Sequence, residues 1–210
     1  MENIIKIIGV GNAGCNMANY MYKQNEFPVS YALCSTNSDH LSILSIKEKI
    51  DIEGRKILTD SDIKKIESLF DTRVRIIFFA VGMGGRTGTM LAPIIADIAK
   101  NNGLRAIGIA TIPFLFEGVA RKNFALNGIE EMKKNVKAML VIDNQLLFEL
   151  YKDMSIMEAF IKIDEILVLM VKDLHAGLIE VDTDDEMLDE LIEKAINTVN
   201  SPLIKERFIN

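Results

Sequence analysis

The sequence is poor in the residues that build metal sites and disulfide frameworks. Its 210 residues hold two cysteines and two histidines, with no ligand spacing among them, which argues against a structural metal or a cross-linked scaffold. Cys15 and Cys34 lie in or beside apolar segments, where a small reduced thiol packs well, so a cytoplasmic location is expected. No dense Lys/Arg run occurs and the net charge is −6, so neither nucleic acid nor an anionic membrane surface is an expected partner. The pairs Arg121-Lys122 and Lys133-Lys134 are short and read as solvated helix faces. No apolar stretch reaches membrane-spanning length, so no membrane insertion is expected, and the first strand begins without a signal-like run. Internal repeats and low-complexity linkers are also missing.

What is present is a 49% hydrophobic chain in which strand-like runs alternate with helical patterns. Strands are expected at Ile4 to Val10, Val29 to Cys34, Val74 to Val81, Ala106 to Thr111 and Ala138 to Ile142. Helical patterns cover Met17 to Lys23, Asp60 to Leu69, Leu91 to Lys100, and a stretch after Pro113 to about Lys134. Ser155 and Glu158 form a capping box that opens the longest helix, closed at His175-Ala176-Gly177. Along it Ile156, Phe160, Ile163, Leu167, Met170 and Leu174 mark one buried stripe. This alternation predicts a doubly wound, mostly parallel α/β sheet, whose ligands bind beyond the C-terminal strand ends. Residues 177–210 change character: Glu180 to Glu193 carries eight carboxylates in fourteen residues and no basic side chain. A terminal helix is expected to about Asn200, making 177–210 an acidic loop and short helical remnant beside a nucleotide-binding domain of residues 1–176.

Two glycine-rich turns occupy the strand-to-helix junctions. Gly82-Met83-Gly84-Gly85-Arg86-Thr87-Gly88-Thr89 has four glycines and two threonines in eight residues, more than a plain turn requires. Bare backbone N–H groups and a helix N-terminus favour phosphate there. The second turn, Gly9-Val10-Gly11-Asn12-Ala13-Gly14, has the GxGxxG spacing of a nucleotide loop. An NAD site would place an acid at the end of the second strand, but Ser35-Thr36-Asn37 stands there.

The central turn, with Pro93 in its helix, resembles the GGGTGTG signature of the bacterial cell-division GTPases of the tubulin/FtsZ family, and the resemblance runs through nearly the whole chain. It implies that GTP or GDP is bound by Gly11, Asn12, Ala13 and Asn16, by Gly82, Gly84, Gly85, Arg86, Thr87, Gly88 and Thr89, and by Pro113, Glu117, Arg121 and Asn144. Phe160 and Asp164 would meet the guanine base. A carboxylate accepts both N–H groups of the guanine edge, so Asp164 would select guanine over adenine; spacing alone leaves it a polar flank and leaves Phe160 plain core. Gly177 to Asp185 is similar to the family's synergy loop, which makes Asp182 and Asp185 the catalytic candidates, acting on the nucleotide of a neighbouring subunit; their other reading is as caps of the last helix.

Departures from the family pattern define the alternatives. Arg86 replaces a glycine, and can contribute a cation to phosphates or fill their place. Asn37 replaces an aspartate near the metal, which weakens the case for Mg²⁺, and the segment between Ile50 and Asp62 lacks the family's loop for the γ-phosphate. Most of the family's C-terminal activation domain is absent from the sequence. One expectation is a slow or assembly-dependent GTPase that partners itself; the other is a non-hydrolysing regulator or cap of a full-length FtsZ.

Overall fold

The computed structural model describes residues 4–24, 28–52, 58–150, 155–179, 185–198 and 204–210. Seven strands form one sheet: β1 (Ile5–Val10), β2 (Ser30–Ser35), β3 (Lys49–Asp51), β4 (Ile76–Gly82), β5 (Arg105–Ile112), β6 (Ala138–Asp143) and β7 (Ile204–Ile209). Their order is β3-β2-β1-β4-β5-β6-β7, parallel throughout except that β7 runs antiparallel to β6. The inner strands are apolar on both faces because helices cover both faces. Alternate residues feed two separate cores: Ile76, Phe78 and Ala80 of β4 enter one, and Ile77, Phe79 and Val81 enter the other.

The first core is covered by α1 (Gly11–Gln24), α7 (Ile156–Ile179) and α8 (Asp185–Thr198), and α2 (Ser38–Ile43) adds Leu41 to it. The second is covered by α3 (Asp60–Glu67), α4 (Arg86–Asn101) and α5 (Val119–Lys133), while α6 (Asn144–Leu150) follows directly from β6. The strand order reverses between β1 and β4. The chain leaves β1 for α1 on one face and leaves β4 for α4 on the other, so a crevice opens between the two helix starts. The register brings the rim into line, with Val10 opposite Val81, Gly82 opposite Thr111 and Ile112 opposite Asp143.

Several boundaries differ from the sequence reading. The helices α1 and α4 begin at Gly11 and Arg86, ahead of the expected starts at Met17 and Leu91. Their first turns are mostly glycine and small or polar residues that bring backbone close to the sheet, so they carry no apolar period. The longest helix continues two residues past Gly177, to Ile179. Its stripe is buried at Ile163, Leu167, Met170 and Leu174, but Phe160 is 40% exposed. The remnant at the C-terminus holds a strand as well as a helix. Its sequence Ile204-Lys205-Glu206-Arg207-Phe208-Ile209 is an edge strand, paired on one side with β6, and edge strands carry a weaker apolar signal than central ones.

Gly103 follows α4 with φ of +75° and donates its N–H to the Lys100 carbonyl, closing the helix end. The capping box at Ser155 and Glu158 is also formed, with Ser155 N–H and Oγ both donating to Glu158 Oε2. Among the described residues no helix is long and apolar enough to cross a membrane.

The helix α8 belongs energetically to the sheet. Leu188, Ile192, Ala195 and Ile196 are buried in the same core as α1 and α7. Asp189 pairs with Arg105 at 2.9 Å and Lys137 at 3.0 Å, at the N-terminal ends of β5 and β6. Leu188→Ala is expected to cost about 2–5 kcal/mol in urea unfolding and to leave a single transition. A separate early transition from the C-terminal segment would contradict this packing.

Candidate functional site

At the C-terminal rim of the sheet the first turns of α1 and α4 face a common cleft of about 440 Å³. This lies within the range of roughly 300–1,000 Å³ usual for small-molecule sites. Gly85 is the N-cap of α4 and brings no side chain to accept from its first turn. The first intrahelical bond there is Thr89 N–H to Gly85 carbonyl at 3.0 Å, so the N–H groups of Arg86, Thr87 and Gly88 have no acceptor within the helix. The start of α1 at Gly11, Asn12 and Ala13 offers the same geometry from the opposite face of the sheet. Two positive helix ends on one hollow make an anion site.

The glycines of the two turns have different reasons to be glycine. Gly88 and Gly82 are packing positions: a Cβ on Gly88 would lie 2.5 Å from the Gly82 carbonyl oxygen, and one on Gly82 would lie 2.5 Å from the Ala13 Cβ. Gly84 has φ of +92° and touches Pro113 and Arg121. Gly85 has an ordinary φ of −85° and nothing within 4 Å of a built Cβ. Neither backbone strain nor protein packing explains its glycine, so the free space over it reads as room for a ligand to approach the backbone.

Charge in the cleft favours an anion. Arg86 and Arg121 are its lining cations; Glu117 is its one lining carboxylate among the described residues. Arg121 pairs with Glu117 at 2.8 Å, and Glu117 also accepts from the Phe114 N–H at 2.9 Å. Arg86 is exposed, with no ion pair or hydrogen bond among the described residues, and it sits at the mouth and leaves the hollow open. No group of three or more acidic, histidine or cysteine side chains among the described residues is arranged to hold a metal. Asn37 spends its carbonyl oxygen capping α2, accepting from the His40 N–H at 3.0 Å. These donors do not fit a protein-held Mg²⁺.

The opposite end of the cleft is aromatic and amide-rich. Phe160 lines it and meets Phe114 edge-on, with centroids 6.0 Å apart. Asn144 lines the cleft too, is 6% exposed, and its Oδ1 is buried without a hydrogen-bond partner among the described residues, an unsatisfied acceptor. One turn beyond Phe160 on α7, burial pushes the Asp164 carboxyl up to about 7. A desolvated carboxylate with no cation beside it is stabilised only when donors arrive.

Of the sequence candidates, Gly11, Asn12, Ala13, Gly82, Gly85, Arg86, Thr87, Gly88, Pro113, Glu117, Arg121, Asn144 and Phe160 meet in this cleft. Four are not among its lining residues. Thr89 Oγ1 accepts from the Gly84 N–H at 2.8 Å, shaping the turn from within; Asn16 bonds His40; Asp164 lies one turn down α7. Asp182 falls outside the described residues. Asp185 is the first residue of α8. Thr36, Met83 and Thr111 also line the cleft, and Thr36 bridges to Thr87, hydroxyl to hydroxyl, at 2.7 Å. Thr36 is a strand-end residue of β2, and that position at the rim was its only signal.

Two outcomes follow from this geometry. Gly88→Ala is expected to lower stability by several kcal/mol, whereas Gly85→Ala leaves the melting temperature unchanged, as thermal unfolding will show. For Asp164 the folded-state affinity for its proton exceeds that of the unfolded chain, so its contribution to stability is fully present below about pH 4 and is lost as pH rises through about 7. Asp164→Asn removes that slope and gains on the order of 2–4 kcal/mol at pH 8, read from urea midpoints at pH 4 and pH 8. Parallel pH profiles for the two proteins would contradict the assignment.

Comparison with known proteins gives this cleft a context. Residues 49–152 match the Tubulin/FtsZ family, GTPase domain. The chain is 39% identical over 182 residues to the cell division protein FtsZ of Porphyromonas gingivalis, covering 78% of this chain and 39% of that protein. It is 37% identical over 185 residues to FtsZ of Aquifex aeolicus, covering 80% and 50% respectively. The chain therefore spans half or less of the length of these relatives. The structure of an empty FtsZ dimer from M. jannaschii superposes with a TM-score of 0.70 at 28% identity, over 88% of this chain and 57% of that one. With one fold, one switch-point crevice and this identity over about four fifths of its residues, the chain belongs to the Tubulin/FtsZ family.

Proposed function

We propose that this chain binds a guanine nucleotide, GTP or GDP, in the rim cleft and serves a cell-division or filament-forming assembly. The observation that carries the reading is the open space over Gly85 between two helix N-termini. The first-turn amides of α1 and α4 would hold the phosphates, with Arg86 adding charge from the mouth and Arg121 holding Glu117 in place. Phe160 would pack on the base, the Asn144 oxygen would accept from the nucleoside, and the Asp164 carboxylate would accept from the guanine edge. Any Mg²⁺ would be carried by the phosphates. The buried free thiols Cys15 and Cys34 suit a cytoplasmic protein.

Hydrolysis in this reading is slow and needs assembly. The cleft supplies no unengaged carboxylate among the described residues, so the water-orienting groups would be Asp182 and Asp185 of a second copy. The engaged state of Glu117 and the neutral Asn37 favour a second reading, a binding protein that does not hydrolyse and that caps or regulates a full-length FtsZ.

The expected result is that protein denatured after purification releases guanine nucleotide on chromatography, and that Gly85→Ala weakens GDP affinity at least tenfold with its fold intact. Wild-type protein without measurable affinity for GDP or GTP by calorimetry refutes the proposal. A GTPase rate per subunit that rises with protein concentration supports hydrolysis between copies. A flat, near-zero rate, with a changed pellet when full-length FtsZ is sedimented with this chain, supports the regulator.

A further inference from the structure

The stretch from Ser35 to His40, between β2 and α2, handles two asparagines of α1 in the same way. Asn12 and Asn16 lie one turn apart on one face of that helix. Ser35 Oγ donates to Asn12 Oδ1 at 3.3 Å, and His40 Nε2 meets Asn16 Oδ1 at 2.9 Å. The proton position on His40 follows from its surroundings. Its Nδ1 is buried and has no partner, and a buried N–H without an acceptor is a rarer and costlier state than a buried lone pair. The proton therefore sits on Nε2 and is donated to Asn16. The imidazole is held from behind as well, because the His40 backbone N–H is fixed by the Asn37 cap.

We infer that His40 is a positioning residue for nucleotide recognition: by occupying the Asn16 oxygen it leaves the Asn16 NH₂ as an oriented donor one turn along α1 from Asn12, which lines the cleft, for an acceptor atom of the bound nucleoside. The inference rests on the guanine-nucleotide reading. It differs from a structural role for His40 in one respect: its effect on affinity passes entirely through Asn16. An asparagine free to turn presents oxygen or nitrogen about equally, so losing the histidine loses orientation and leaves the fold in place.

The test is a double-mutant cycle on GDP affinity by calorimetry, with thermal unfolding measured alongside. His40→Ala is expected to weaken GDP binding about five- to tenfold, the worth of about one net hydrogen bond. In the Asn16→Ala background the same change is expected to have no further effect. His40→Gln, whose amide N–H can reach the same oxygen, is expected to recover most of the affinity. Equal losses in both backgrounds, or an unaffected His40→Ala, overturn the role of His40 while leaving the guanine reading standing. A wild-type chain with no GDP affinity overturns both.

Discussion

The constraint on which this structure turns is the close approach of two helix starts at neighbouring strand ends. Because β1 and β4 are adjacent and in register, their helices leave the sheet within one strand spacing of each other, on opposite faces. A Cβ on Gly14 would lie 2.0 Å from the Ala80 carbonyl oxygen and one on Gly9 2.5 Å from the Gly14 oxygen. Side chains at these points would push the helices apart. Their absence lets both sets of unpaired amides face one small volume, where their partial charges add.

That arrangement explains the division of labour along the rim. The end near α1 and α4 is backbone, with glycines and threonines whose small size exposes amides. The other end is side chain: the Phe160 ring, the Asn144 oxygen and, one turn deeper, the Asp164 carboxyl. The first suits a part of a ligand that carries charge, and the second a flat heterocycle with N–H donors. Arg86, which has the bulk to close the hollow, lines it as an exposed side chain on the first residue of α4. Rigid support comes from below the site, where all of Ile76 to Val81 is fully buried, so the rim rests on a layer with no room to relax.

The α7 helix links the two rims. It starts by the cleft, buries Ile163 to Leu174 along the first core, and ends near α8, whose Asp189 is tied to Arg105 and Lys137 at the far ends of β5 and β6.

Most elements and the place of the rim were legible in local pattern. Short apolar runs bounded by turn signals, such as Val74 to Val81, read as strands buried on both faces, and the glycine turns at Gly11 and Gly82 mark where backbone comes close. Short-range pattern is enough for these because period and steric bulk are local properties. It misplaced what has no local signature: the glycine-rich first turns of α1 and α4, and the edge strand Ile204–Ile209. Packing in three dimensions settled that Gly85 stands over open space while Gly88 is wedged, that Thr36 reaches Thr87, and that His40 holds Asn16. Those facts depend on which surfaces meet across the switch point, and residues 24 and 51 apart in sequence leave no mark on each other until the sheet brings them together.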